Sequence, residues 1–329
     1  MRIVITGGAG FIGSLVAGEL LERGVFRGSE VTSLVLADRM PARVSDPRVE
    51  AVTGDLAEVV PRLFAEPVDV LIHLASAVSA EVEADTELGM RSNVDATRAL
   101  LAACREQAAS GRVATFVFSS SVAVYGADPA APLPSIVDET TLPAPQSSYG
   151  VQKLACEQFI ADATRKGTVD GRIVRLMTVA VRPGRPNAAA SSFLSSIVRE
   201  PLNGEPAVCP VDPSLEVAIA SPARTVNGLL AVAEAERGEG PGRLRGRIPV
   251  NLPALTVTVQ DLLDALESVG GSDARALVEM RRDPAVEAIV GSWPARFDNR
   301  RAAELGLHAD AGALDVVRAF ARDRAAAGR

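Results

Sequence analysis

The stretch Gly7-Gly8-Ala9-Gly10-Phe11-Ile12-Gly13 lies between a short β-branched run, Arg2 to Thr6, and a helical pattern from about Phe11 to Arg23. Strand, tight glycine turn and helix in that order point the free amides of a helix N-terminus at whatever enters the turn, the arrangement that binds a pyrophosphate. Gly7 permits the turn, Gly10 lets a phosphate approach the backbone, and Gly13 lets the helix pack closely on the sheet. A plain glycine-rich turn is the alternative; the strand-turn-helix context favours dinucleotide binding.

The same alternation continues. Further apolar runs occur at Glu30 to Ala37, Val49 to Thr53, Val68 to Leu74, Val113 to Ser119 and Arg172 to Leu176, with helical patterns at about Leu88 to Ala109 and Ser148 to Lys166. Runs that are apolar on both faces belong inside a parallel sheet covered by helices on either side, so the expected fold is a doubly wound parallel α/β sheet of the Rossmann type. Residues 1–178 are expected to form the dinucleotide-binding domain. Beyond Thr178 a series of prolines from Pro183 to Pro213 breaks up any long helix, and residues 179–329 are read mainly as a smaller substrate-binding lobe. Val217 to Glu236 reads as a strand and helix returning to the main sheet. The Ala- and Arg-rich tail after Ala295 reads as a charged surface helix.

What is scarce narrows the chemistry. The 329 residues contain two histidines, three cysteines and two tyrosines, and no CxxC or HExxH spacing, which argues against a metal site. Three scattered cysteines fit a reducing cytoplasm. A net charge of −7, with arginines dispersed among acids, argues against nucleic acid as partner. No run of 18 apolar residues suits a membrane span, and the N-terminal run reads as a strand, not a signal peptide.

Asp38 closes the second apolar run, where a carboxylate accepts hydrogen bonds from adenosine ribose hydroxyls and repels a 2′-phosphate. That favours NAD over NADP, with Arg39 next door as a partial counterweight; the alternative is a turn residue. Asp55 is a candidate to bond the adenine amino group or, equally, a helix N-cap. Tyr149 and Lys153 have a YxxxK spacing that places phenol and ammonium on one helix face. A nearby cation favours the phenolate and makes the tyrosine a usable base. Alone, this pair could be an ordinary surface pair. Ser119-Ser120-Ser121, however, ends a buried run, and strand ends in such sheets face the ligand crevice, although strand-end capping is the bland alternative.

In this order the motifs resemble the extended short-chain dehydrogenase/reductase superfamily, the branch with sugar-nucleotide epimerases and dehydratases. The likeness runs through His73-Leu74-Ala75-Ser76, Asn93, the serines ahead of Val124-Tyr125-Gly126, and YxxxK. It implies Ser121, Tyr149 and Lys153 as the catalytic trio and Tyr125 as the non-catalytic tyrosine. Ser119 and Ser120 would lie nearer the nicotinamide. Phe11, Ile12, Leu56, Leu74, Ala75, Ser76, Asn93, Ser119 and Thr178 would join Gly7, Gly10, Gly13, Asp38 and Asp55 around NAD.

A narrower likeness, carried by Arg182 to Phe193 and Val78 to Asp85, is to the D-erythronate dehydrogenases, a branch that oxidises a four-carbon sugar acid at C2 with NAD. Arg182, Arg185 and Asn187 follow the last core strand and are candidates to hold a small anion, or merely a soluble loop. The implied reaction is oxidation of a 2-hydroxy acid, with Tyr149 taking the hydroxyl proton, Lys153 lowering its pKa and Ser121 positioning the oxygen. The rivals are an NDP-sugar epimerase with tightly bound NAD and a non-catalytic nucleotide sensor. A 4,6-dehydratase is disfavoured because Val122 and Ala123 stand where an Asp-Glu pair is usual. Relatives often form homodimers through the YxxxK helix and its neighbour near Leu88 to Ala109.

Overall fold

The computed structural model describes residues 1–184 and 189–327. Seven parallel strands form the main sheet: β1 (Arg2–Thr6), β2 (Ser33–Asp38), β3 (Val49–Thr53), β4 (Val70–His73), β5 (Thr115–Ser121), β6 (Asp170–Leu176) and β7 (Val250–Asn251). Their order across the sheet is β3-β2-β1-β4-β5-β6-β7, with every neighbouring pair parallel. This is a Rossmann arrangement, and the order reverses between β1 and β4, where a crevice opens at the strands' C-terminal ends. The central strands are buried on both faces, whereas β3, at the edge, is mostly exposed.

Helices cover both faces. On one side α1 (Phe11–Arg23) and α5 (Pro222–Glu234) pack around Ile3, Ile5, Leu34 and Val174. On the other, α2 (Leu56–Leu63), α3 (Ala96–Ala109) and α4 (Ser148–Arg165) enclose Val4, Leu71, Phe116 and Ile173. A separate core around Phe193, Ile197, Leu262 and Phe320 holds the C-terminal lobe together.

Two segments differ from the sequence reading. The strand Glu216–Ala220 pairs with Thr178–Val179 and Leu255–Thr258 in a small sheet of its own, while α5, which follows it, packs on the main sheet. The strand that joins the main sheet is β7, two residues long and too short to leave a pattern. The tail is also more than a surface helix. Ala302 and Leu307 are buried in the main core, and Val316 and Val317 of Ala313–Ala327 are buried against the lobe helix Val259–Ala276. Among the described residues no helix is long and apolar enough to cross a membrane, and no group of three or more His, Cys, Asp or Glu is placed to hold a metal. All three cysteines are free and buried.

Candidate active site

A cleft of about 570 Å³ runs over the C-terminal ends of β2, β1, β4, β5 and β6 and is closed on its far side by the lobe. At one end lies the glycine turn. Gly7 has φ +72°, and a Cβ on Gly13 would come within 2.1 Å of the Gly7 carbonyl oxygen, so only glycine lets α1 begin this close to the turn. The N-cap, Gly10, has no side chain, and the first turn of α1 carries no acid, which leaves the helix's positive end open to the cleft. An anionic pyrophosphate fits this cradle.

Asp38 stands beside it, its two oxygens accepting from the amides of Ala9 and Met40 at 3.0 Å each. Asp55 is the N-cap of α2, accepting from Ala57 N at 3.0 Å, and its other oxygen accepts from Arg39 at 2.8 Å. Asp55 also lines the cleft. Phe11, Ile12, Leu56, Leu74, Ala75, Ser76, Ser119 and Thr178 all line the cleft.

Asn93 does not. It is buried in the π-helical turn Met90–Asp95, where its side-chain oxygen accepts from Ser76 Oγ at 3.0 Å and Ala77 N at 2.8 Å. Its Nδ2 donates to Gln152 on α4 at 2.8 Å. Asn93 therefore ties the Ser76 loop to the helix bearing Tyr149 instead of bordering the cofactor space.

At the other end of the cleft Ser121, Tyr149 and Lys153 converge. Ser147 caps α4 through Gly150 N, and a Cβ on Gly150 would meet the Ala123 carbonyl oxygen at 2.1 Å. This close approach sets Tyr149 against the end of β5. Burial pushes the phenol up to about 12, against the pull of hydrogen bonds with Ser121 and Ser76 and of the Arg182 charge. Lys153 is buried, donates to the Ser119 carbonyl at 2.8 Å and lies 5.5 Å from the Tyr149 ring centre; burial lowers its pKa to about 8. The groups that draw the phenol down here are two hydroxyls and an arginine, where the spacing alone points to lysine. His73 bonds Thr6 and Thr97 and is held neutral by burial, with a pKa of about 3. It is no proton carrier at neutral pH.

The side chain of Ser120 turns away from the reaction, donating to Glu157 at 2.5 Å. Glu157 is bound by Arg175, which also donates to the Tyr125 hydroxyl at 2.6 Å; Tyr125 in turn bonds Asn251 on β7 and the Asp138 carbonyl. This buried network was not anticipated. Its one sequence signal is that Glu157 lies four residues beyond Lys153, on the same helix face.

From the lobe come Arg182, Ser191 and Trp293, which close the cleft over Tyr149. Among the described residues the Arg182 guanidinium has no carboxylate partner, whereas neighbouring Arg199 is paired with Glu200 at 2.6 Å. Arg185 and Asn187 lie outside the described residues.

Residues 3–217 match the NAD dependent epimerase/dehydratase family. The chain belongs to that family. Over 98% of both chains it is 45% identical to a D-erythronate dehydrogenase of Cupriavidus necator. A D-erythronate dehydrogenase of Haemophilus influenzae is 39% identical over 97% of this chain and 98% of its own. The crystal structure of a nucleoside-diphosphate-sugar epimerase from Agrobacterium tumefaciens superposes with a TM-score of 0.89 at 35% identity, covering 99% of this chain and 95% of that one. The cofactor of this family member is NAD, and the uncapped α1 terminus and Asp38 suit its pyrophosphate and its unphosphorylated ribose.

Proposed function

We propose that the chain is a dehydrogenase that oxidises a small 2-hydroxy sugar acid at C2, D-erythronate to 2-oxo-D-erythronate. The observation that carries this reading is Arg182, whose guanidinium has no carboxylate partner among the described residues and bears electrostatically on Tyr149 from the cleft wall. A cation so placed beside the base calls for an anionic substrate whose charge sits one or two bonds from the reacting carbon. The names of the two relatives matched over nearly their whole length support it.

NAD, when bound, supplies the hydride acceptor. The protein's part is to bind, orient and move one proton. Arg182 holds the carboxylate, so the C2 hydroxyl faces the Tyr149 phenol. Ser121 Oγ accepts from or donates to the same oxygen and keeps it in line as it becomes a carbonyl. Tyr149 Oη takes the hydroxyl proton, and Ser76 and Ser121 stabilise the phenolate that accepts it. Lys153, anchored on Ser119, places its charge beneath the tyrosine ring and would hold the nicotinamide-side ribose of bound NAD. The residues 1–178 domain carries the dinucleotide, and the remainder supplies mainly the substrate wall. The chain acts in the cytoplasm as a homodimer pairing α4 with α3, on a face where Val151 and Phe159 are exposed.

The epimerase reading is kept in view by the Agrobacterium structure. A screen of C4 to C6 aldonic acids for NADH appearance, with NADP in parallel, separates the two. A dehydrogenase accumulates NADH with D-erythronate. An epimerase recycles it, so conversion of a sugar nucleotide without net NADH would overturn the proposal.

A further inference from the structure

Asp38 and Arg39 are consecutive at the end of β2 but carry opposite signs toward a dinucleotide. Asp38 repels a 2′-phosphate; an arginine in the next position is the group that would accept one, by a charge-assisted fork. In the structure Arg39 is committed elsewhere. Its Nη2 donates to Asp55 Oδ2 at 2.8 Å and reaches Ser92 Oγ at 3.4 Å. Asp55 is anchored in turn, because its Oδ1 accepts the Ala57 amide at the start of α2. Arg91, on the Met90–Asp95 turn, adds a second positive charge, and together with the Ala57 bond and Arg39 it holds the Asp55 carboxyl below its usual range. Asp38, Arg39, Asp55 and Ser92 all line the adenosine end of the cleft.

We propose that Asp55 is a specificity-determining residue that excludes NADP by sequestering Arg39. NADP is then rejected twice, by repulsion from Asp38 and by the commitment of Arg39, the cation next to Asp38 in the chain, to Asp55. This goes beyond the choice of substrate and does not depend on it. It also differs in outcome from a role for Asp55 on the adenine amino group, since NAD and NADP share the same base and such a contact would serve both alike.

Asp55→Asn tests it, because asparagine remains a good N-cap while the charge is lost; Asp55→Ser is a second capping variant should the first fold poorly. NAD and NADP are each titrated calorimetrically into the purified protein without substrate. The expected result is a rise in NADP affinity relative to NAD of about fivefold, the upper range for an exposed ion pair. That gain should shrink at ~0.5 M salt, where exposed charges are screened. It should vanish in Asp55→Asn/Arg39→Ala. An unchanged NADP-to-NAD ratio, an equal loss for both cofactors, or a gain that survives removal of Arg39 would each overturn the proposal.

Discussion

Arg175 grips both carboxylate oxygens of Glu157, at 2.8 and 2.6 Å, in a pair that is almost wholly buried beneath the helix of Tyr149 and Lys153. The pair joins α4 to β6 and, through Ser120 and Tyr125, reaches β5 and β7. Removing one partner leaves the other charge buried and uncompensated. Glu157→Gln should therefore lower unfolding stability by about 3–5 kcal/mol, whereas the balanced double variant Glu157→Gln/Arg175→Met should recover much of that. Urea unfolding monitored by circular dichroism provides the comparison; equal losses in the single and double variants would count against the pair.

Tyr149→Phe removes only the hydroxyl on which proton transfer depends. Turnover should fall by at least about a hundredfold while affinity for NAD stays close to that of the parent protein. Calorimetry and NADH appearance, run on the same preparation, read the two effects separately.

The pH profile should report the phenol. With Tyr149 held near 12 and needed as phenolate, kcat/KM for oxidation should climb with pH from neutral into the alkaline range. The Ser121 hydrogen bond lowers that pKa, so Ser121→Ala should raise it and carry the climbing limb to higher pH. A limb that stays in place or moves to lower pH would show that Ser121 does not act on the phenol.

Arg182→Gln keeps a donor but removes the charge. Loss of a charge-assisted bond to the substrate carboxylate should reduce kcat/KM for the sugar acid about 10- to 100-fold and leave NAD binding unaffected. The test is a comparison of the acid with its uncharged lactone or polyol. A selective loss for the acid is expected, and a uniform loss for charged and neutral compounds would contradict the carboxylate assignment.

What could be read from the sequence was local in origin. The glycine turn, Asp38 and the Tyr149–Lys153 spacing depend on a few consecutive residues, and a strand end or one helical turn suffices to set their relative positions. Alternating apolar runs likewise determined the layered parallel sheet, since strands buried on both faces have few other ways to be covered. The tertiary structure alone decided which distant groups meet. It placed Arg39 on Asp55, Glu157 on Arg175, and Asn93 behind Ser76 and away from the cleft. It also chose Val250–Asn251 over Glu216–Ala220 as the sheet's last strand. No periodicity encodes such choices: a buried charge takes whichever opposite charge the packing of separate elements brings within reach, and a two-residue strand pairs wherever an edge lies open beside it.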